Sequence, residues 1–439
     1  MAEPAVAVWL ARLTTWLEQF EPVFSHRAQR GGLRRYVEGV RCDSRRKSMA
    51  AMWARVRDPG TYQALQYFLT DAAWSADALW RQLRAVLPAR AGVLILDGTG
   101  LPKQGAASVG VSRQYSGTLG KIGNCQVAVT AALWTGVQAW LVGAQLYLPQ
   151  AWLTPAQRSR GRIPARLVFQ EKWRQALTLL RQVRAAGLTV TAVVADAEFG
   201  DCTAFRCALH HLRLPYALGV ASTLTVFRGT PRVPGAAAPR AGRRRARPTL
   251  PAGVAAVRVR ALAEAQPARA WRVVSWRNGP RPAWRARFWR CRVTPAHDWR
   301  HRRLGPEVWL LCQRSLRGDD PKYFLVHLPP TASLRAAVRP ASALGDRTAI
   351  RRVEDRIGAG RLRRALLSRL EPPRRPRRVG RCVSAGRAAT ARPATPHVST
   401  GARGDDRHPH RLSFRHASAQ SEDAVKTGGN PASDLTKSY

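Results

Sequence analysis

Two aspartates occupy matching places in this chain. Asp97 closes the apolar run "VLILD", and Asp196 closes "TAVVAD". Each is an acid at the C-terminal end of a run that predicts a buried strand. If those strands are neighbours, the two carboxylates meet at one edge of a sheet, where oxygen ligands hold hard cations such as Mg²⁺. A pair of such ions can activate a water or a 3′-hydroxyl on one side of a phosphate and stabilise the departing oxygen on the other. The competing explanation is local: an Asp followed by a small residue after a strand is a common turn, and it explains either aspartate alone equally well.

Other clusters carry less chemistry. Cys202, Cys207, His210 and His211 lie close in sequence, but their spacing fits no common zinc motif and suits one face of an amphipathic helix. Core packing is the expectation there. The seven cysteines, none of them in a C-x-x-C pair, read as reduced thiols of an intracellular protein. No Ser, Cys or His stands in a recognisable triad context.

The elements that must position the aspartates follow from periodicity. Residues 1 to 88 predict an all-helical unit, with apolar residues three and four apart in "VAVWLARLTTWLEQF" and "SADALWRQLRAVL". From 89 to 338 the texture is that of an α/β domain: "GVLILD", "CQVAVTAALW" and "WLVGAQLYLP", then a helix near 169–186, then "LTVTAVVAD". These runs barely alternate, which predicts a mixed sheet buried on both faces. Between about 219 and 310 lies a β-rich insertion full of Pro, Arg and Trp. Its loop "PRVPGAAAPRAGRRRARP" is either a solvated linker or a DNA contact, and its tryptophans are expected mostly in the core or under arginine stems. A strand, a double-proline turn and a helix start at Ser333 follow. After about 339 periodic apolar content disappears, and 339–439 is expected to be a disordered Arg/Pro-rich tail.

The stretch joining the first acid to the next strand, "DGTGLPKQGAASVGVSRQYSGTLGKIGNCQVAV", resembles the catalytic domain of DDE transposases of bacterial insertion sequences, group seven-oh-one. The same resemblance is carried by "RDPGTYQALQYFLTDAAW", "VVADAEFGDCTAFRCAL" and "LPYALGVASTLTVF", in order, and covers roughly residues 45 to 338. It implies an RNase H-like fold with a β-strand insertion between the second and third acids. It also implies that Asp97 and Asp196 are catalytic metal ligands in a two-metal Mg²⁺ or Mn²⁺ site. Lys103, Arg113, Tyr115 and Lys121 lie on the connection after the first acid and are candidate DNA-backbone contacts. Asn124 and Gln126 are placed to fix that loop.

The family's third acid belongs to a helix shaped like "RWxIExxYxELKxELGLDHFEGRSW". This chain has instead "RPASALGDRTAIRRVEDRIGAGRLRRALLSRLEPP", where Glu354 is the nearest substitute and its neighbours do not match. Read one base later, the codons permitted from Ala343 to Leu370 spell "RWAIEQQYxELKTELGLDxFEGRSYPGW". The tryptophan codon spans Leu344 and Gly345, and the glutamate codon spans Arg347 and Thr348. This points to a one-base frameshift between about Pro330 and Ala343, either decay of the gene or programmed frameshifting.

Charge agrees with a polyanionic partner. The chain has 439 residues, with 73 Lys and Arg against 27 acids, a formal charge of +46. Setting aside everything after Val338 leaves 51 bases against 18 acids, still strongly basic. The expected partner is double-stranded DNA, as terminal inverted repeats and target, with a homo-oligomer in the complex. No run approaches a membrane span, so the expected location is cytoplasmic and nucleoid-associated. The function expected is that of a DNA transposase, in a decayed copy lacking its third carboxylate. The alternatives are a catalytically inactive DNA-binding relic at the element ends and a housekeeping nuclease of the same fold.

Overall fold

The computed structural model describes residues 3–42, 48–116, 120–232, 250–276, 285–296, 304–316 and 321–345. The chain opens with helices α1 (Glu3–Glu18), α2 (Arg27–Arg41), α3 (Met49–Trp53), α4 (Tyr62–Thr70) and α5 (Ala76–Ala85). Their starts follow from local chemistry: the hydroxyls of Ser48, Thr61 and Ser75 accept the backbone N–H of Ala51, Ala64 and Ala78, groups that have no partner within the helix. Phe20, Phe24, Phe68 and Leu69 form the buried centre of this unit. Gly32 lets α2 approach α4, because a Cβ there would lie 2.5 Å from the Phe68 ring.

Next come β1 (Ala91–Pro102), β2 (Ser112–Ser116), β3 (Lys121–Trp134) and β4 (Ala139–Tyr147), then α6 (Pro155–Gly161), α7 (Lys172–Ala185) and β5 (Thr189–Ala195). The short α8 (Ala197–Gly200) and α9 (Thr203–His211) lead into β6 (Tyr216–Val220). The β-rich segment supplies β7 (Thr225–Arg228), β8 (Val257–Arg258), α10 (Val259–Glu264), β9 (Arg272–Ser275), β10 (Arg285–Pro295) and β11 (Val308–Ser315). Strand β12 (Lys322–His327) and helix α11 (Leu334–Gly345) complete the described chain.

All these strands join one mixed sheet in the order β2-β3-β1-β5-β6-β12-β11-β10-β7-β8, with β4 also on β3 and β9 also on β10. β1 is antiparallel to β3 and parallel to β5, and β5 is parallel to β6. The β-rich segment is therefore an extension of the sheet through β12, not a separate layer. Helices α7 and α9 cover one face, where Leu94, Leu96, Val129, Leu180, Val193 and Phe205 are buried. Helix α11 covers the other, setting Ala337, Val338 and Ala341 against Val194, Ala217 and Val326.

Two expectations need correction. Order does not end near residue 339: α11 runs on to Gly345 through Pro340, because burial of Ala341 and Ala343 sustains a helix that the sequence pattern does not announce. The polar segment around Arg113, read as a connection, is strand β2, formed by pairing with β3. The remainder of the expected tail, including Glu354 and the region of the missing motif, lies outside the described residues, as does the basic loop at 233–249. Among the described residues, the tryptophans of the β-rich segment follow the core-or-platform pattern. Trp271 and Trp289 are buried, Arg290 stacks 4.0 Å from the Trp309 ring centroid, and Arg314 stacks 4.1 Å from that of Trp271.

Candidate active site

The register explains how the two aspartates come together. β1 and β5 are parallel neighbours whose last paired residues are Leu96 and Ala195. Asp97 and Asp196 each follow directly, so they sit side by side where this pairing stops. Asp196 lies just past the end of β5, but Asp97 is midway along β1, not at a strand end as its apolar run suggests, because β1 runs on to Pro102 by pairing with β3. Alternation puts Asp97 on the face of Val93, and Asp196 on the face of Val194, which is the face covered by α11. Asp97 is also held from the other side, since the Thr130 hydroxyl donates to its carbonyl oxygen at 3.2 Å.

Asp196 doubles as a helix cap. Its Oδ1 accepts the Glu198 N–H at 3.0 Å and so starts α8. Part of the residue is open to solvent, yet the carboxyl is enclosed enough that desolvation pushes it up to about 6. Repulsion from Asp97 and then from Glu198 adds to the shift, while the N–H groups of Glu198 and Phe199 oppose it. A negative site with incomplete compensation is what a cation would relieve.

Two residues that the sequence did not single out complete the surroundings. Glu198 forms an ion pair with Lys172 at the start of α7, and the Lys172 ammonium also lies 5.2 Å from the Tyr147 ring centroid. Gly98 makes room for this pair, because a Cβ there would stand 2.9 Å from Glu198 Oε2. Glu198 thus approaches the strand end from the α7 side, opposite the face of Asp97. The only sequence hint was its place two residues after Asp196; the Lys172 contact spans 26 residues and is purely tertiary.

Gly200 has a different necessity. A Cβ at that position would fall 1.8 Å from the Gly219 carbonyl oxygen, so α8 lies directly on β6. The "DAEFG" segment is a cap, an ion-pair partner and a close-packing glycine in succession.

The candidate DNA contacts are not gathered at one spot. The Lys103 ammonium donates to Ser108 Oγ at 3.0 Å within the loop that follows β1. Arg113 and Tyr115 are exposed on β2, on the same face as Asp97, whereas Lys121 is exposed on the opposite face. Asn124 and Gln126 do tie the loop, donating to Gly105 O at 3.0 Å and Val109 O at 2.5 Å. Cys202, Cys207, His210 and His211 belong to the N-cap and body of α9, with His211 Nδ1 2.7 Å from Cys207 O and the His210 ring against His327.

Among the described residues no group of three or more His, Cys, Asp or Glu side chains is arranged around a common metal position. The pair Asp97 and Asp196 offers hard oxygen donors that suit Mg²⁺ or Mn²⁺ with water filling the remaining positions. No helix among the described residues is long and apolar enough to cross a membrane.

Comparison with known proteins supplies the family. A probable transposase for insertion sequence element IS701 from Microchaete diplosiphon is 31% identical over 190 residues, 42% of this chain and 47% of that relative. The match therefore spans about half the length of the curated relative. A cryo-EM structure of a piggyBac transposase synaptic complex with hairpin DNA aligns with a TM-score of 0.37 at 10% identity, over 78% of this chain and 64% of that one. The family model described as DDE superfamily endonuclease matches residues 19–283, a span that holds both aspartates. The chain belongs to the DDE superfamily endonucleases.

Proposed function

We propose that this chain derives from a DNA transposase that cleaves a phosphodiester at the ends of its insertion sequence and joins the freed end to target DNA. The observation that carries this reading is the adjacency of Asp97 and Asp196 where the parallel β1–β5 pairing stops, within the family match. The antiparallel unit β4-β3-β1, continued by parallel β5 and β6, supports an RNase H-like core.

Asp97 and Asp196 would hold Mg²⁺ or Mn²⁺, two ions in the intact family. Bound there, the cation would lower the pKa of an attacking oxygen and neutralise charge on the phosphate. The chain's own groups then supply position. Water attacks phosphorus in line as the P–O3′ bond breaks, leaving a 3′-hydroxyl; that hydroxyl attacks a target phosphate in the second step, with loss of its proton and release of another 3′-oxygen. Arg113, Tyr115 and Lys121, exposed on β2 and the start of β3, together with Lys103, orient the duplex backbone. The helical unit adds DNA contact, and a homo-oligomer brings two ends together.

The third carboxylate is absent from the translated sequence. α11 lies on the Asp97 face of the sheet, and the one-base shift would encode glutamate at position 347, two residues past its described end at Gly345. Translation in the shifted frame would restore the motif directly after the described end of this helix. The chain as it stands is a decayed copy, or one half of a programmed frameshift product. A second reading, a DNA-binding relic that occupies the element ends without cutting, is favoured by this gap.

The test is a nicking assay with Mg²⁺ or Mn²⁺ on the element's flanking DNA, run with the chain as translated and with the frame restored. Restored protein is expected to nick, and Asp97→Asn to reduce nicking by about a thousandfold while binding persists. Binding without nicking in both forms would leave the relic reading standing. Codons 344–370 that fail to spell the motif in the shifted frame would refute the frameshift.

A further inference from the structure

Beyond Pro102, which pairs with Cys125, β1 leaves the sheet, and β2 and the start of β3 continue as a two-stranded ribbon. Arg113 pairs with Asn124 and Tyr115 with Ile122. Directly opposed residues share a face, so all four project from the same side as Asp97. Asn124 and Gln126 are covered by the loop they tie, but the Tyr115–Ile122 pair is bare, at 65% and 59% exposure. An aromatic and a β-branched aliphatic side by side on an edge ribbon cost solvation free energy unless something covers them.

Charge names the occupant. Between Asp97 and Glu171 the sequence has no acid at all, against Lys103, Arg113, Lys121, Arg158, Arg160, Arg162 and Arg166. Arg113 flanks the apolar pair on its own face, and Lys121 stands on the opposite one. The ribbon does not run straight away from Asp97: a Cβ on Gly100, three residues along β1, would lie 3.1 Å from the Ser116 Cα, so the end of β2 folds back against β1 and the apolar pair stays close to the carboxylates.

We propose that the β2–β3 ribbon lies along duplex DNA and inserts Tyr115 and Ile122 as an apolar wedge at a base step near the carboxylate pair, bending the duplex. The proposal rests on the DNA-transposase reading and adds to it a bent substrate and the residues that bend it. The basic side chains hold the backbone, and the wedge unstacks one step while the ribbon follows the groove.

The experiment uses the full chain and a short A·T-rich duplex with donor and acceptor dyes at its ends, measuring affinity and energy transfer together. The parent is expected to bring the dyes closer on binding. The double variant Tyr115→Ala, Ile122→Ser is expected to bind about tenfold more weakly with no change in energy transfer, at an unchanged melting temperature. Tyr115→Phe should keep the bend, and Arg113→Ala should lower the salt slope but keep the bend. A parent that binds without bending, or a double variant that bends as the parent does, overturns the wedge and leaves the transposase reading intact. Loss of self-association in the double variant, with bending retained, assigns the pair to a second copy of the chain and also overturns it. Failure of the parent to bind any duplex overturns the DNA reading itself.

Discussion

At the residue scale, Asp196 shows what an enclosed carboxylate beside two other acids costs. Its folded-state value of about 6 lies above the ordinary 3.8, so the folded protein binds that proton more tightly than the unfolded chain. The fold is therefore favoured at low pH, and this contribution is lost as pH rises from the ordinary value through about 6. Asp196→Asn removes the charge. In metal-free buffer it is expected to melt higher than the parent at pH 8, by no more than about 1 kcal/mol once solvent screening is allowed for. The advantage should shrink to nothing as pH falls through 6 toward 3.8. Thermal melts across that range check it; a variant no more stable than the parent at pH 8 would show that the Asp196 charge does not destabilise the fold. Both aspartates were legible in the sequence because each ends an apolar run. Glu198 and Lys172 were not, since their pairing depends on where α7 lands on the sheet.

At the element scale, apolar runs announced β1, β3, β4 and β5, whose burial is nearly continuous, while β2 was hidden. Its "SRQYS" holds no apolar run and becomes a strand only by pairing with β3. α11 was cut short for the same kind of reason: small and basic residues with a proline look like the end of order, and the sheet beneath supplies the missing stabilisation. The order of strands across the sheet was not legible either, because parallel neighbours such as β1 and β5 are separated by some ninety residues. One tight contact between elements can be tested directly. Gly200→Ala would drive a methyl into the Gly219 carbonyl, so α8 must lift from β6. A loss of about 1–3 kcal/mol in denaturant unfolding is expected, the usual cost of overpacking. On the proposed metal site, affinity for Mn²⁺ should fall with it, because Asp196 is the N-cap of the displaced helix.

At the scale of the whole molecule, the helical unit and the sheet are bolted together by Arg84 of α5. Its guanidinium is buried, donating from Nε to Val142 O at 2.7 Å and from Nη2 to Gln182 Oε1 at 3.1 Å, and desolvation lowers its pKa. Arg90 then donates to Arg84 O at 2.8 Å and to Ala186 O at 2.9 Å, joining α5, α7 and the approach to β1. Arg84→Met keeps most of the volume but orphans the Val142 carbonyl, at an expected cost of about 1–3 kcal/mol. Limited proteolysis should then cut between α5 and β1 in the variant at a protease level the parent resists; equal resistance would show that apolar packing alone holds the joint. A rigid joint has a geometric consequence. Two surfaces that cannot swing independently act as a caliper, so on the proposed function DNA gripped by the helices and DNA lying at the carboxylates would be held at a set interval. The distance from a recognised sequence to the cut would then be written into one buried arginine rather than into any base contact.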